Sequence, residues 1–242
     1  MKNRNAKTNH NHRTDTGPMF DSIAPHYDFL NHLLSFGIDR SWRKKAIREI
    51  SLIDPHPAKI LDVATGTGDL AITALKLCPG HITGIDISKK MLEIGREKIR
   101  KKRLNNRIEF LECDSQNICF NENTFDVAMV AFGVRNFSDP LKGLSEMFRV
   151  LKNEGIIMVL EFSKPERFPF KQIYNFYFLK ILPLIGRIVS KSDHAYRYLP
   201  ESVMQFPDNE QFIALLEEAG FKSVKQKRLT GGVAGIYTGL KL

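Results

Sequence analysis

The sequence is poor in cysteine and lacks any long, uninterrupted apolar run. Its three cysteines, Cys78, Cys113 and Cys119, form no C-x-x-C pair and have no matching His or Cys pair to complete a zinc site. The most apolar stretch, 173–189, is broken by two cations and a proline, so it falls short of the roughly 20 apolar residues that span a bilayer. We expect reduced core thiols in a cytoplasmic protein, with no metal and no transmembrane segment.

The chain also lacks internal repeats and low-complexity runs, and its first residues do not resemble a leader. Residues 1–18 are basic and polar and lack the apolar core of a signal peptide. We therefore expect a disordered basic tail over 1–18 and a single domain over 19–242, long enough to bury a sizeable core.

The formal net charge of +9 calls for a partner or for well-solvated surfaces. Basic residues cluster at 40–48, 96–107 and 222–228. Solvated helix faces are the commonest explanation. An anionic bilayer surface or a nucleic acid would also suit this charge, and charge alone does not separate the three.

Residues 59–71 predict a buried strand, a glycine turn and a helix, which is how a doubly wound sheet receives a nucleotide. Gly66 and Gly68 also fit a loose dinucleotide-binding pattern. However, Asp62 and Asp69 would repel a pyrophosphate at the start of this helix. The same carboxylates favour a cationic sulfonium and ammonium, which points to S-adenosylmethionine as the cofactor.

Two further acidic positions follow the next two predicted strands. Asp86 ends the second strand, twenty residues after Gly66 (86 − 66), where a carboxylate can accept both hydroxyls of an adenosine ribose. Asp114 and Ser115 follow the third strand, where an aspartate can accept from the adenine amino group; a simple turn-forming aspartate is the alternative.

The pattern of strands and helices predicts an α/β fold with a doubly wound, mainly parallel, seven-stranded sheet of Rossmann-like type. N-terminal helices are expected over 19–57, and an aromatic-rich helical insertion or lid over 165–205 after the fifth strand. The predicted strands are 59–63, 82–86, 107–112, 125–131, 155–161, 222–229 and 233–241, and the last two form an antiparallel pair. The predicted helices include 40–50, 69–77, 88–103, a short one near 115–118, 140–151 and 208–219. Asp39 is expected to cap the helix over 40–50, and Ser88 the helix over 88–103.

The segment 132–136 follows the fourth strand, where an acceptor should meet the methyl donor. It lacks the Asn/Asp-Pro-Pro-aromatic run of adenine N-methylation and the cysteine nucleophile of pyrimidine methylation. It offers an apolar surface together with Arg135 and Asn136, which suits an aromatic ring that bears oxygen. A cation beside that oxygen would favour the ring anion that attacks a methyl group.

Several motifs give the chain a close resemblance to the quinone-biosynthesis C-methyltransferases, the ubiquinone/menaquinone methyltransferase family. The matching segments are 19–28, 31–37, 42–43, 61–69, 132–136 and 198–202. The resemblance implies a class I S-adenosylmethionine-dependent methyltransferase fold and methyl transfer to a ring carbon of a prenylated hydroquinone. Because the sequence lacks a mitochondrial-type presequence, we expect demethylmenaquinol as the acceptor; a benzoquinol of the ubiquinone pathway is the alternative, and a nucleic-acid methyltransferase is the less favoured one.

The resemblance also implies roles for individual residues. It places Thr67, Asp86, Asp114 and Ser115 against the donor, and it assigns Tyr27, Arg135 and Asn136 to the quinol. Some members carry a donor-contacting serine where this chain has Ala131, so that contact is not transferred. We expect segment 165–190 to make peripheral contact with an anionic membrane surface, and we expect no nucleic-acid partner. A homo-oligomer is left open.

Overall fold

The computed structural model describes residues 17–24, 35, 37–176 and 200–242. Within these ranges no helix combines the length and the apolar character needed to cross a membrane. The helices are α1 (Gly17–Ile23), α2 (Ile38–Ser51), α3 (Asp69–Ala74), α4 (Lys89–Lys101), α5 (Pro140–Val150), α6 (Phe170–Phe176) and α7 (Glu210–Glu218). The strands are β1 (Lys59–Val63), β2 (His81–Asp86), β3 (Ile108–Glu112), β4 (Phe125–Ala131), β5 (Leu151–Phe162), β6 (Lys222–Leu229) and β7 (Ala234–Leu240).

The strands form one seven-stranded sheet in the order β3-β2-β1-β4-β5-β7-β6. The first five strands are parallel, and β7 runs antiparallel to both β5 and β6. The predicted doubly wound sheet is thus confirmed. The strand order reverses between β1 and β4, and in open sheets of this kind ligands bind in the crevice at that point.

Alternate residues of the central strands face two separate hydrophobic cores, one on each side of the sheet. In β5, Ile156 and Met158 belong to the core that contains α2, whereas Ile157 and Val159 belong to the core that contains α5 and α7. Burial on both faces explains why β4 and β5 appear in the sequence as continuous apolar runs.

Of the two predicted helix caps, one is wrong and one is confirmed. Asp39 was expected to cap α2, but the helix already begins at Ile38, after Gly37 in the left-handed conformation. Asp39 lies inside the first turn, where its carboxylate accepts hydrogen bonds from Ser35 and Arg43. By contrast, the predicted cap of α4 is confirmed, because Ser88 Oγ accepts from the Met91 N–H.

The short helix predicted near 115–118 is also absent. The Asp114 carboxylate instead accepts from the Gln116 N–H at 2.9 Å, and a bridge joins Asp114 to Asn117. This side-chain-to-backbone bond favours a turn over a helix.

Two expectations about less regular parts of the chain need revision. Gly17 and Pro18, assigned to the tail, belong to α1, whereas residues 1–16 lie outside the described residues. Of the three cysteines, Cys113 is buried and Cys78 and Cys119 are exposed, so only one is a core thiol. In the expected insertion, 165–176 and 200–205 are described.

Candidate functional site

A cavity of about 560 Å³ opens at the carboxyl ends of β1 to β4, in the crevice where the strand order reverses. The loops after these four strands form most of it, and α1 covers one side. Of the predicted site residues, the cavity lining contains Gly66, Asp86, Asp114, Ser115 and Asn136. The structure therefore brings together residues that lie up to 70 positions apart in the sequence (136 − 66).

Asp86 connects the second strand to the glycine turn that follows the first. Its Oδ2 accepts from the Gly66 N–H at 2.8 Å, and its Oδ1 accepts from the Ser88 N–H at 2.9 Å. Burial against the cavity wall raises its pKa, and Asp21 adds to this effect, although the backbone N–H groups of Ser88, Gly66 and Ile87 oppose it. A carboxylate has about four lone-pair positions, so acceptor capacity remains for a ligand hydroxyl.

Asp62 lies behind the glycine turn and not in the lining of the large cavity. Its Oδ2 accepts from Thr65 Oγ1 at 2.6 Å and from the Ala71 N–H at 3.1 Å. Burial raises its pKa to about 7, because desolvation outweighs these two donors. Asp62 therefore fixes the turn to the start of α3 from behind the cavity.

Thr67 and Gly68 complete the turn but also lie outside the lining of the large cavity. Thr67 is buried and lines a much smaller cavity of about 40 Å³, and its hydroxyl accepts from Lys98 Nζ at 2.9 Å. Gly68 has a φ of +83°, and a Cβ there would come within 2.3 Å of Phe110 Cζ. Gly84 and Gly95 make room for the same ring.

The first helix places an additional carboxylate in the cavity, which the sequence analysis did not single out. Asp21 lines the cavity and accepts from Ser88 Oγ at 2.5 Å. Ser88 in turn caps α4, so α1 is fixed to the N-terminus of that helix. The only sequence signal was the position of Asp21 within the family-like segment 19–28.

The charge of the lining is predominantly negative. Asp21, Asp86 and Asp114 are its carboxylates, and Lys89 is the cation among the lining residues that the structure describes. In the glycine turn, the Gly66 N–H already donates to Asp86, and the N–H groups of Thr65 and Gly68 donate to backbone carbonyls. This arrangement suits a nucleoside that carries positive charge and is unsuitable for a pyrophosphate.

The acceptor side of the cavity is formed by the turn after β4. Ala131, Phe132, Gly133 and Asn136 line it, and Asn136 Nδ2 donates to the Phe132 carbonyl at 3.3 Å. Phe132 has a φ of +58°, a costly conformation for a bulky residue that tends to occur at functional sites.

Arg135 is placed differently from what its sequence position suggested. Its side chain is 7 % exposed, lies outside the cavity lining, and donates from Nη1 to Glu161 Oε1 at 2.7 Å and to the Phe132 carbonyl at 2.6 Å. Its guanidinium carbon lies 5.3 Å from the centre of the Phe162 ring. Glu161 was not predicted as a site residue. Tyr27 lies outside the described residues.

Comparison with known proteins identifies the family. The model of the ubiE/COQ5 methyltransferase family matches residues 7–241. The chain belongs to this family. The demethylmenaquinone methyltransferase of Bacteroides fragilis is 47% identical over 224 residues, which cover 92% of this chain and 91% of that protein. The ubiquinone/menaquinone biosynthesis C-methyltransferase of Geotalea uraniireducens is 48% identical over 225 residues, which cover 92% and 94%.

Solved structures agree on the fold. A SAM-dependent methyltransferase from Aquifex aeolicus superposes with a TM-score of 0.64 over 92% of this chain and 98% of that one, at 22% identity. The family match shows that the chain is a methyltransferase, and S-adenosylmethionine is its methyl donor, as predicted. The acidic cavity fits this donor, whose sulfonium and ammonium groups are cationic. Among the described residues no cluster of His, Cys, Asp or Glu is arranged to hold a metal ion.

Proposed function

We propose that the protein transfers a methyl group from S-adenosylmethionine to a ring carbon of a prenylated hydroquinone, with demethylmenaquinol as the preferred acceptor. The observation that carries this proposal is the family match over almost the whole chain, with relatives named for demethylmenaquinone methylation. The reaction would be the last methylation step of menaquinone biosynthesis.

The chemistry of the acceptor agrees with the groups around the turn after β4. A hydroquinone carbon becomes nucleophilic when the neighbouring hydroxyl loses its proton, because negative charge then spreads to the ring carbon. The bound donor supplies an electrophilic methyl group on its sulfonium. The protein's contribution is then to hold the ring carbon in line with that methyl group and to stabilise the ring anion.

On the donor side, we assign the ribose hydroxyls to Asp86 and the adenine amino group to Asp114, with Ser115 beside it. Gly66 and Gly68 allow the close approach of the backbone. Asp62 and Thr67 shape the turn from behind, as their internal hydrogen bonds indicate.

On the acceptor side, Asn136 offers an amide to a quinol oxygen and Phe132 an apolar surface to its ring. Arg135 lies immediately behind this surface, where its charge acts on the oxygen at short range. Tyr27 is assigned to the same side on the family resemblance alone.

The direct test is product formation with the purified protein, S-adenosylmethionine and a short-chain demethylnaphthoquinol kept reduced. We expect a product one methyl group heavier by mass spectrometry, with the label of methyl-labelled donor on the ring carbon. Absence of methylated quinol under conditions in which the donor binds would refute the proposal.

The benzoquinol of the ubiquinone pathway is the second candidate, because similar relatives are named for both quinones. Competition between equal amounts of a naphthoquinol and a benzoquinol of the same tail length would rank them by kcat/KM. Labelled RNA and DNA in the same assay test the nucleic-acid alternative, for which we expect no methylation.

We further propose that the enzyme reaches its acceptor at an anionic membrane surface. The support is an exposed aromatic patch, which we define as Phe168, Phe170, Phe176 and Met204; these side chains are 80, 46, 63 and 48 % exposed. The cations Arg167 and Lys171 are exposed beside it, together with Glu166, which pairs with Arg228. Exposed aromatics edged by cations are typical of interfacial binding.

Helix α6 links this patch to the site. It carries Phe170 and Phe176 of the patch and also the buried Tyr174, which lies close enough to Arg135 to feel its charge. A prenyl tail could therefore lie in the lipid while its ring reaches the turn after β4.

Binding to anionic vesicles should weaken with salt and fall several-fold in Phe168→Ala/Phe176→Ala. Leu52→Ala is the matched control, since Leu52 is 69 % exposed and directly follows α2, outside this patch. Equal binding to neutral and anionic vesicles would show that electrostatic attraction does not contribute to membrane binding.

A further inference from the structure

The Arg135–Glu161 pair is a buried ion pair at the carboxyl edge of the described sheet, and neither residue lines the donor cavity. Arg135 lies in the turn after β4 and Glu161 lies near the end of β5, and these two strands are parallel neighbours that pair at Ala131 and Leu160. Arg135 Nη1 lies 2.7 Å from Glu161 Oε1, and the side chains are 7 % and 0 % exposed. Glu161 Oε2 also accepts from the Arg135 N–H at 3.4 Å.

Glu161 is held rigidly in this position. Its Oε1 accepts from the Phe162 N–H at 2.9 Å in addition to Arg135. Phe162 packs against Phe132 with ring centroids 4.6 Å apart, and Phe132 lines the cavity. The carboxylate therefore fixes the guanidinium directly behind the acceptor surface.

Other charged and titratable groups approach the pair from each neighbouring element. Tyr174 of α6 feels the charges of Arg135, Asp208 and Glu161, and Asp208 pairs with Lys164 at 3.3 Å. From α2, Trp42 packs on Phe132 and Phe162, and the next residue, Arg43, is bound to Asp39. Arg43 and Lys164 are thus each already matched by an aspartate, which leaves Glu161 as the direct counter-charge to Arg135.

The pair has a consequence for catalysis that Arg135 alone would not have. A free guanidinium beside a quinol oxygen would strongly favour the anion, but it would also hold the negative charge on oxygen and make the ring carbon less nucleophilic. A carboxylate in contact with the guanidinium partly offsets its charge. A buried ion pair contributes little net stability in comparison with apolar residues of similar size. Stability therefore does not explain why this pair is present, whereas a role in catalysis would.

We propose that Glu161 is a positioning residue for the acceptor site, which fixes the orientation of Arg135 and limits the positive charge that Arg135 presents to the quinol oxygen. This inference rests on the proposed quinol methylation. It assigns no proton to Glu161. The quinol O–H proton goes to water, and the ring carbon forms the C–CH3 bond as the S–CH3 bond breaks with its electron pair left on sulfur. Loss of the ring C–H proton to solvent then restores the aromatic ring, and the oxygen takes a proton back from water.

The test is the pH dependence of kcat for wild type, Glu161→Gln and Glu161→Asp with a short-chain demethylnaphthoquinol at saturating donor. Loss of the carboxylate removes a negative charge near the quinol, so the quinol ionises at lower pH. In Glu161→Gln we expect the acidic limb to move down by about one pH unit and the plateau rate to fall several-fold. Glu161→Asp should restore the wild-type midpoint.

Controls separate this role from a purely structural one. Asp126→Asn removes a carboxylate from the Lys152 pair (2.6 Å) at the other edge of the sheet, and it should leave the midpoint unchanged whatever it does to stability. A Glu161→Gln profile with the wild-type midpoint, or one moved to higher pH, overturns the inference. If the wild type methylates no quinol at all, the proposed function fails instead, and the two failures are distinct.

Discussion

The carboxylate of Asp86 holds the glycine turn of the neighbouring strand, since its Oδ2 accepts from the Gly66 N–H at 2.8 Å. The same group is the proposed acceptor for the ribose hydroxyls. One side chain therefore sets both the shape of the turn and the contact with the ligand.

Asp86→Ala should weaken the binding of S-adenosylhomocysteine by about 1.5–3 kcal/mol, the range for hydrogen bonds to a charged group, which raises Kd roughly ten- to a hundredfold. Titration calorimetry measures it. Glu93→Ala, an exposed carboxylate on α4, is the control and should bind as the wild type does. Unchanged affinity in Asp86→Ala would show that the ribose lies elsewhere.

Asp21 should control how fast the donor site opens. Asp21 connects α1 to Ser88 at the N-terminus of α4 and so holds α1 over one side of the cavity. Asp21→Asn weakens this connection, and we therefore expect the dissociation rate of S-adenosylhomocysteine to rise several-fold. Stopped-flow displacement measures the rate. Ser22→Ala alters an exposed hydroxyl of the same helix and should leave it unchanged; equal rates for both variants would contradict the closing role of α1.

Asp62 should make the donor-free protein less stable as pH rises toward neutrality. Its pKa in the folded protein is about 7, above the ordinary 3.8, so between these values the folded state keeps a proton that the unfolded chain has lost. The stability linked to that proton is present below about pH 4 and disappears as pH rises through about 7.

Thermal unfolding of wild type and Asp62→Asn from pH 5 to 8 tests this effect. The difference between the two curves isolates Asp62 from the other carboxylates. We expect the melting temperature of the variant to rise steadily relative to the wild type from pH 5 to about pH 7, and the difference to level off above that. Parallel curves would mean that Asp62 is ionised throughout.

Gly68 should be intolerant of any side chain for two reasons that can be separated. Its φ is +83°, and a Cβ would come within 2.3 Å of Phe110 Cζ. We expect Gly68→Ala to lower the free energy of unfolding by about 2–4 kcal/mol, from strain and overpacking together. Gly37→Ala is the control, since Gly37 has a φ of +72° but no described atom within 4 Å of the Cβ.

Urea denaturation of the two alanine variants, each with and without Phe110→Leu, completes the test. The smaller side chain should recover part of the loss at Gly68 and none at Gly37. If both variants lose the same free energy, strain alone explains the glycine and the contact with Phe110 is unimportant.

The sequence predicted the sheet well because its strands are short apolar runs bounded by turn residues. The sequence predicted the ends of helices and strands less well, because one residue there fits two structural roles. Asp39 resembles a helix cap but pairs with Arg43, which stands one helical turn further on. Leu151 belongs to β5 rather than α5, because a register shift between Phe125 and Val127 extends the pairing beyond the apolar run.

Which side of the turn each aspartate faces could not be predicted from spacing alone. Asp62 and Asp86 both lie at or near the ends of adjacent strands, yet Asp62 points behind the turn and Asp86 lines the cavity. Glu161 was available to the same reasoning, because it is an acid at the end of the apolar run 156–160. Its partner Arg135 is 26 residues away, and only the pairing of β4 with β5 brings them together.

Arg135 should also be important for stability, which a loop cation would not be. Arg135→Ala leaves Glu161 buried at 0 % exposure without its counter-ion, and removal of one partner of such a pair costs about 3–5 kcal/mol. Replacement of both charges by apolar groups is much less costly, so Arg135→Leu/Glu161→Leu should be more stable than Arg135→Ala. Urea denaturation of the two single leucine variants and the double variant gives the coupling energy. A coupling near zero, with Arg135→Ala as stable as the wild type, would show that water reaches Glu161 in solution, and the charge balance at the acceptor site would then have to come from solvent instead of from this pair.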